Sequence, residues 1–137
     1  SLYGGGVYVF EGDTSGTVIP GSSHVWVKAE VVGFQAGVTV DAGGDVNGDG
    51  VADVLLGATG AEEGRGAVYL VHGPVSGGVL VKNADAEFVG EEIGDSLSRA
   101  WWADLDGDAY SDVLLGAPGR SHTGSDEGVI YMLRGGG

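Results

Sequence analysis

The chain contains no cysteine. A disulfide framework and a thiolate metal site are therefore both excluded. Compartment stays open, because a secreted domain can do without disulfides if something else staples it. Basic side chains are scarce, 6 against 20 acidic ones, for a formal net charge of −14. Nucleic-acid binding needs lysine and arginine to neutralise phosphate, so that class of partner is excluded. Attraction to an anionic membrane surface is excluded on the same ground. No run approaches the roughly 18 apolar residues of a membrane span, so no membrane insertion is expected. A basic-then-apolar leader is also missing: the chain starts "SLYGGGVYVF", as a mature or excised segment would. Proline is rare, at 3 residues, and the 29 glycines follow no Gly-X-Y period, which excludes collagen.

What is present is a folding composition. Hydrophobic residues make up 42% of the 137, enough for a core, and the length fits one domain. Disorder is the weaker reading of so acidic a chain. The carboxylates then form either a repelling surface or sites for cations. The glycines separate short apolar runs such as "VYVF", "DVLLG", "AVYLVHG" and "VIYML". None of these sustains a helical period, and their valine, tyrosine and leucine content suits strands joined by tight turns. The fold class read from this pattern is all-β.

Two stretches repeat. "DVNGDGVADVLLGA" starts at Asp45, and "DLDGDAYSDVLLGA" starts 59 residues later at Asp104. "GAVYLVHG" (66–73) recurs as "GVIYMLRG" (128–135) and appears upstream as "GGVYVFEG" (5–12), with Tyr8, Tyr69 and Tyr131 in step. "KAEVVG" (28–33) resembles "DAEFVG" (85–90). One unit is thus four short strands in about sixty residues, a propeller-blade pattern. Strand one follows Gly37 or Gly94; the acidic loop, "DVLLGA", "GxVYxxxG" and "xAExVG" follow in order. On this alignment the second copy carries two extra residues between its glycine and its acidic loop. A β-sandwich of two similar halves is the competing architecture; repeat length and loop position favour the propeller.

The combination of acidic loop, "DVLLGA" and "GxVYxxxG" resembles FG-GAP repeats, the blades of integrin α-subunit propellers and of many bacterial secreted and surface proteins. Gly116-Ala117-Pro118 matches the family's Gly-Ala-Pro in full, and Gly57-Ala58-Thr59 loses the proline. The Phe-Gly pair is degenerate in both copies, as Ala36-Gly37 and Ile93-Gly94. The resemblance implies antiparallel four-stranded blades, about two per chain plus extra strands. Residues 1–33 hold strands three and four of a first blade, 34–90 a complete blade, and 91–137 strands one to three of a further blade. Nine strands cannot close a ring of four to eight blades. A homo-oligomer, or the remainder of a larger propeller, is the expected completion.

Each acidic loop offers side-chain oxygens at positions one, three, five and nine: Asp45, Asn47, Asp49 and Asp53, then Asp104, Asp106, Asp108 and Asp112. Odd spacing in a curled loop turns successive side chains toward one point. Calcium takes six to eight oxygens at about 2.3–2.6 Å in flexible geometry. Backbone carbonyls at position seven, Val51 and Tyr110, complete the expected ligands of two Ca²⁺ sites. Magnesium demands stricter octahedral geometry, and zinc prefers nitrogen or sulfur, which these loops lack. An EF-hand would need an acid at position twelve, where Leu56 and Leu115 stand. Glycine-aspartate β-rolls recur every nine residues, not at this spacing. The competing role is turn capping, since Asp, Asn and Gly are ordinary turn residues; duplication of the spacing and repulsion among unpaired carboxylates favour the cation. Ala109 replaces the glycine found at Gly50, so the two loops should differ in affinity if that position needs positive φ.

Other features carry less. Of Trp101 and Trp102, neighbours on a strand, one should be core and the other nearer the surface. His24, His72 and His122 show no metal or nucleophile spacing, and neither Ser96 nor Ser98 has a local catalytic partner. The polar loops 57–66 and 119–128 are the candidate partner contacts. The reading is a non-catalytic, calcium-binding module for adhesion or protein interaction, which the family resemblance implies is extracellular or at the cell surface. The alternatives are a carbohydrate-binding or accessory module of a secreted enzyme, and a structural fragment that self-assembles without a ligand.

Overall fold

The computed structural model describes residues 4–10, 15–19, 25–121, 124, 125 and 127–136. Among these residues ten strands form in chain order: β1 (Gly6–Val9), β2 (Val25–Lys28), β3 (Ala36–Ala42), β4 (Val54–Ala58), β5 (Ala67–Val71), β6 (Gly78–Leu80), β7 (Ala86–Val89), β8 (Arg99–Ala103), β9 (Asp112–Ala117) and β10 (Val129–Leu133). The only helical pieces among the described residues are two single 3₁₀ turns, Glu62–Gly64 and Val81–Asn83.

The strands make three sheets, ordered β1-β2-β6, β3-β4-β5-β7 and β10-β9-β8. The middle one is a complete four-stranded antiparallel blade. Its central strands explain the unbroken apolar runs of the sequence. β4 and β5 are buried at every residue, because both faces of the sheet are covered. Alternate side chains go opposite ways. Leu56, Ala58, Ala67, Tyr69 and Val71 pack toward the first sheet with Val27 and Ala29. Leu55, Val68 and Leu70 pack toward the third sheet with Leu97, Ala100, Val113, Leu115 and Ala117. The outer faces of the stack are more open. Lys28 lies 4.5 Å above the rings of both Tyr8 and Trp26 on one end, while Trp101, Ile130 and Met132 are exposed at the other.

Three details differ from the sequence-based expectation. The first is an unexpected strand, β6, which joins the first sheet beside β2 in the parallel sense, so the architecture is not wholly antiparallel. The second is the place of strand four in the first unit. It is Val25–Lys28, not Lys28–Gly33: Tyr8 pairs with Trp26 as Tyr69 pairs with Glu87. The shared Ala-Glu pair was a coincidence, because Ala29 corresponds to Gly90. Ala29 N–H donates to the Gly5 carbonyl at 3.1 Å, and Gly90 N–H to the Gly66 carbonyl at 3.0 Å.

The third is the alignment before the loops. Ala36 N–H donates to the Gly4 carbonyl and Leu97 N–H to the equivalent Arg65 carbonyl, so Ala36 matches Leu97. Gly33 therefore matches Gly94, and both have φ of 96°. Measured from that pair, the first copy is the longer one. A register shift between Ala36 and Thr39 takes up one residue. The other lies between Ala42, opposite Val54, and Asp45; its counterpart Trp102 faces Val113 and is followed more closely by Asp104.

Candidate metal centre

Each acidic loop is the hairpin between strands one and two of its sheet, β3–β4 and β8–β9. Its carboxylates organise the turn. Asp45 Oδ1 accepts from the N–H groups of Gly48 (2.7 Å) and Asp49 (3.1 Å), and Oδ2 accepts from Gly50 (2.8 Å). Asn47 Oδ1 accepts from Asp49 N–H and its amide donates to Asp49 Oδ2, both near 3 Å. Asp49 Oδ1 accepts from Val51 N–H at 2.8 Å. The second loop repeats this pattern: Asp104 holds Gly107 and Ala109, Asp106 holds Asp108, and Asp108 holds Tyr110.

These turns bring one group of carboxylates together. Asp104, Asp106 and Asp108 each direct an oxygen to a common point, all three within 4.8 Å of one another, and all three residues are exposed. Short hard oxygens from positions one, three and five fit a hard cation. A basic group lies near: Arg134 Nη1 is 3.4 Å from Asp106 Oδ2. Asp45, Asn47 and Asp49 stand at the matching positions of the first loop.

Position nine is different. Asp53 and Asp112 are fully buried. Asp53 Oδ2 accepts from Val46 N–H at 2.9 Å, and Oδ1 from Gly73 N–H at 2.9 Å. Asp112 does the same with Leu105 and Gly135, at 2.8 and 3.0 Å. Each therefore fastens the start of its loop to the end of strand three, with both oxygens already accepting. Asp112 stands outside the converging trio. The position-seven residues lie in the same turns through their N–H bonds to Asp49 and Asp108.

Position six confirms the conditional strain argument. Gly50 has φ of 82° and Ala109 φ of 74°, so alanine sits where glycine is favoured.

The two loops also touch, which spacing alone did not reveal. Asp45 N–H donates to Ser111 Oγ at 3.1 Å, and Ser111 N–H donates to the Asp45 carbonyl at 3.0 Å. The Tyr110 ring lies against Gly48 so closely that any side chain there would strike it. Gly136 N–H donates to the Val46 carbonyl. The one sequence signal is Ser111 itself, polar where the first copy has Ala52.

Of the remaining candidates, Trp101 is 44% exposed while Trp102 is half-buried and packs on the core, the split that strand alternation requires. The hydroxyls of Ser96 and Ser98 donate to the nearby carbonyls of Gly94 and Ser96. His72 is 3.9 Å from Asp85. His24 and His122 lie outside the described residues, as does part of the 119–128 loop.

A second ionic cluster was not anticipated. The buried Arg120 pairs with Glu91 at 2.8 Å and Glu92 at 2.9 Å, with buried Asp95 at 3.8 Å. The close Glu92 carboxylate, with the other acids around it, holds the guanidinium pKa above its ordinary value. Tyr131 donates to Glu91 at 2.7 Å, and that bond raises the phenol pKa. The equivalent Tyr69 is raised further, chiefly by burial and then by Glu87.

Comparison with known proteins agrees with these landmarks. The FG-GAP repeat model matches residues 36–71 and 102–133. Human integrin alpha-X is 38% identical over 102 residues, covering 71% of this chain and 8% of its own length. Integrin alpha-3 of Cricetulus griseus is 31% identical over 120 residues, 83% of this chain and 11% of that protein. Integrin alpha-4 of Xenopus laevis is 32% identical over 100 residues, covering 66% and 9%. The chain thus spans about a tenth of the length of these curated relatives or less.

Proposed function

Since the chain belongs to the FG-GAP repeat family, we propose that it is a non-catalytic, calcium-binding propeller module for adhesion or protein interaction outside the cell or at its surface. The observation that carries this reading is the convergence of Asp104, Asp106 and Asp108 in a loop whose spacing is repeated at Asp45, Asn47 and Asp49. Two Ca²⁺ ions are taken, one per loop. Positions one, three and five supply side-chain oxygens and the Val51 and Tyr110 carbonyls supply position seven. Asp53 and Asp112 close the set from position nine while tying each loop to its sheet. The bound ion cancels the mutual repulsion of the carboxylates and pins the hairpin tip. Extracellular modules hold calcium at about 10⁻⁴–10⁻³ M, which suits millimolar calcium outside cells.

The unit boundaries 1–33, 34–90 and 91–137 belong to this reading. So does completion of the stack by further blades, from a longer propeller or from copies of this chain, on the outer faces carrying Trp26 and Trp101. The loops 57–66 and 119–128 are the proposed contacts for a protein partner. A carbohydrate ligand is the second reading, favoured by the exposed Trp101 ring beside Pro118 and Ile130.

The test is thermal unfolding with excess chelator, then with millimolar calcium or magnesium, with molar mass followed by light scattering. A rise in melting temperature with calcium alone, and two ions per chain by calorimetry, is the expected result. No response to either cation would reduce the loops to ordinary turns.

A further inference from the structure

The chain has two asparagines, and their surroundings differ. Asn83 is followed by Ala84, whose N–H closes a 3₁₀ turn on the Val81 carbonyl at 3.0 Å. Asn47 is followed by Gly48, exposed at the tip of the first acidic loop. Three features of that tip bear on one reaction. Gly48 has no Cβ to crowd an approach to its nitrogen. Asn47 Oδ1 accepts from Asp49 N–H at 3.1 Å, an Asx turn that folds the side chain back along the intervening Gly48 peptide. Gly48 N–H donates to Asp45 Oδ1 at 2.7 Å, so a carboxylate already holds the proton that the nitrogen must lose.

We propose that Asn47 is a site of self-modification: deamidation by water through a cyclic imide with Gly48. The Gly48 nitrogen bonds to Asn47 Cγ, and the bond from Cγ to the amide nitrogen breaks. Ammonia leaves with the proton that Asp45 relays from Gly48. Water then opens the ring. Attack at Cγ leaves an ordinary aspartate; attack at the main-chain carbonyl leaves isoaspartate. The two products act oppositely. Aspartate completes in the first loop the carboxylate set that Asp104, Asp106 and Asp108 bring together in the second. Its oxygen replaces the amide that donates to Asp49 Oδ2 at 3.0 Å, so repulsion in the ion-free loop rises, and with it the pull on a cation. Isoaspartate lengthens the main chain by one carbon and breaks the Asx turn. On the calcium reading above, on which this part rests, a bound ion occupies Asn47 Oδ1 and the Asp45 carboxylate. The ion-free loop is then the reactive one, and modification marks chains that have been without calcium.

The whole chain is incubated in mildly alkaline buffer with chelator or with calcium, then digested. Mass spectrometry follows the exchange of NH for O, and chromatography separates the aspartate and isoaspartate forms. In chelator, Asn47 should convert as fast as it does in a free peptide of residues 43–52, while Asn83 stays intact. Calcium at about ten times its Kd should slow conversion about tenfold, since only ion-free chains react. Asn47→Asp should fold with unchanged circular dichroism and show a larger calcium-induced rise in Tm than the native chain. An equal or smaller rise overturns the role given to the aspartate product. A folded chain that keeps Asn47 intact while the peptide converts overturns the proposal, because the turn then protects the amide. So does conversion at equal rates with and without calcium when calorimetry shows the first loop filled. Conversion in chelator, with no calcium bound by calorimetry, would uphold the modification and overturn the calcium reading instead.

Discussion

Ser111 and Asp45 exchange two hydrogen bonds across the boundary between sheets: the Asp45 amide donates to the Ser111 hydroxyl oxygen at 3.1 Å, and the Ser111 amide donates to the Asp45 carbonyl at 3.0 Å. Asp45 is also the first proposed ligand of its own loop. The two hairpins are therefore one mechanical unit, and an ion in the second should steady the first. Ser111→Ala removes the side-chain half of this link, worth about 1 kcal/mol. We expect calcium affinity in the first loop to fall about fivefold, and the second loop, coupled to it through the same bonds, to weaken with it. Calorimetric titration resolves the two. Equal affinities in both proteins would show the loops to be independent.

Position nine should behave unlike positions three and five. Asp53 satisfies the Val46 and Gly73 amides from a buried site. An asparagine there has only one acceptor oxygen and turns an NH₂ toward a donor. Asp53→Asn should cost about 2 kcal/mol or more even in chelator. Asp108→Asn should cost little in chelator and most of the calcium response. Urea denaturation with and without calcium separates these roles.

Ala109 at φ of 74° invites a simple repair. Ala109→Gly should stabilise the chain by about 1 kcal/mol, and Gly50→Ala should destabilise it by a similar amount. Denaturant midpoints at fixed calcium test both.

The Arg120 cluster replaces an apolar pair. Gly60 N–H donates to the Phe34 carbonyl, and Gly119 N–H to the Asp95 carbonyl, so Asp95 stands for Phe34 and Arg120 for Ala61. Arg120→Ala alone removes the cation beside the buried Asp95, leaving it the Glu92 N–H, and should cost about 3 kcal/mol. Adding Asp95→Phe rebuilds the middle sheet's pair and should recover most of that loss. A double variant no more stable than the single one would sink the equivalence.

The tyrosines set an alkaline limit. The folded state raises the pKa of both Tyr69 and Tyr131, so it holds these protons more tightly than the unfolded chain. Their contribution is complete below the ordinary tyrosine value near 10 and is lost as pH rises above it. Tyr131→Phe should lower stability at neutral pH and flatten the fall that begins above about pH 10. The measurement is a urea midpoint series against pH.

What could be read from sequence followed from how local the signal was. β4 and β5 announce themselves because full burial on both faces needs unbroken apolar runs. The loops announce themselves because ligand-like spacing is a local property, and it occurs twice. β6 is invisible in advance: three residues, Gly78–Leu80, gain strand character only from β2, far away in the chain. The first strand four was misplaced by a two-letter match that falls in a turn. The Ser111 link was hidden because serine in a loop is commonplace until its partner, 66 residues away, is known.

A side chain at Gly5 would strike the Ala36 carbonyl of the next sheet, and one at Gly66 the corresponding Leu97 carbonyl. At these points each sheet recognises its neighbour's main chain, which is the same whatever side chains the neighbour carries. Shuffling of whole repeats between genes can then proceed without simultaneous compensating substitutions at that seam. At that seam the fold is thereby permissive to the exchange of one repeat for another.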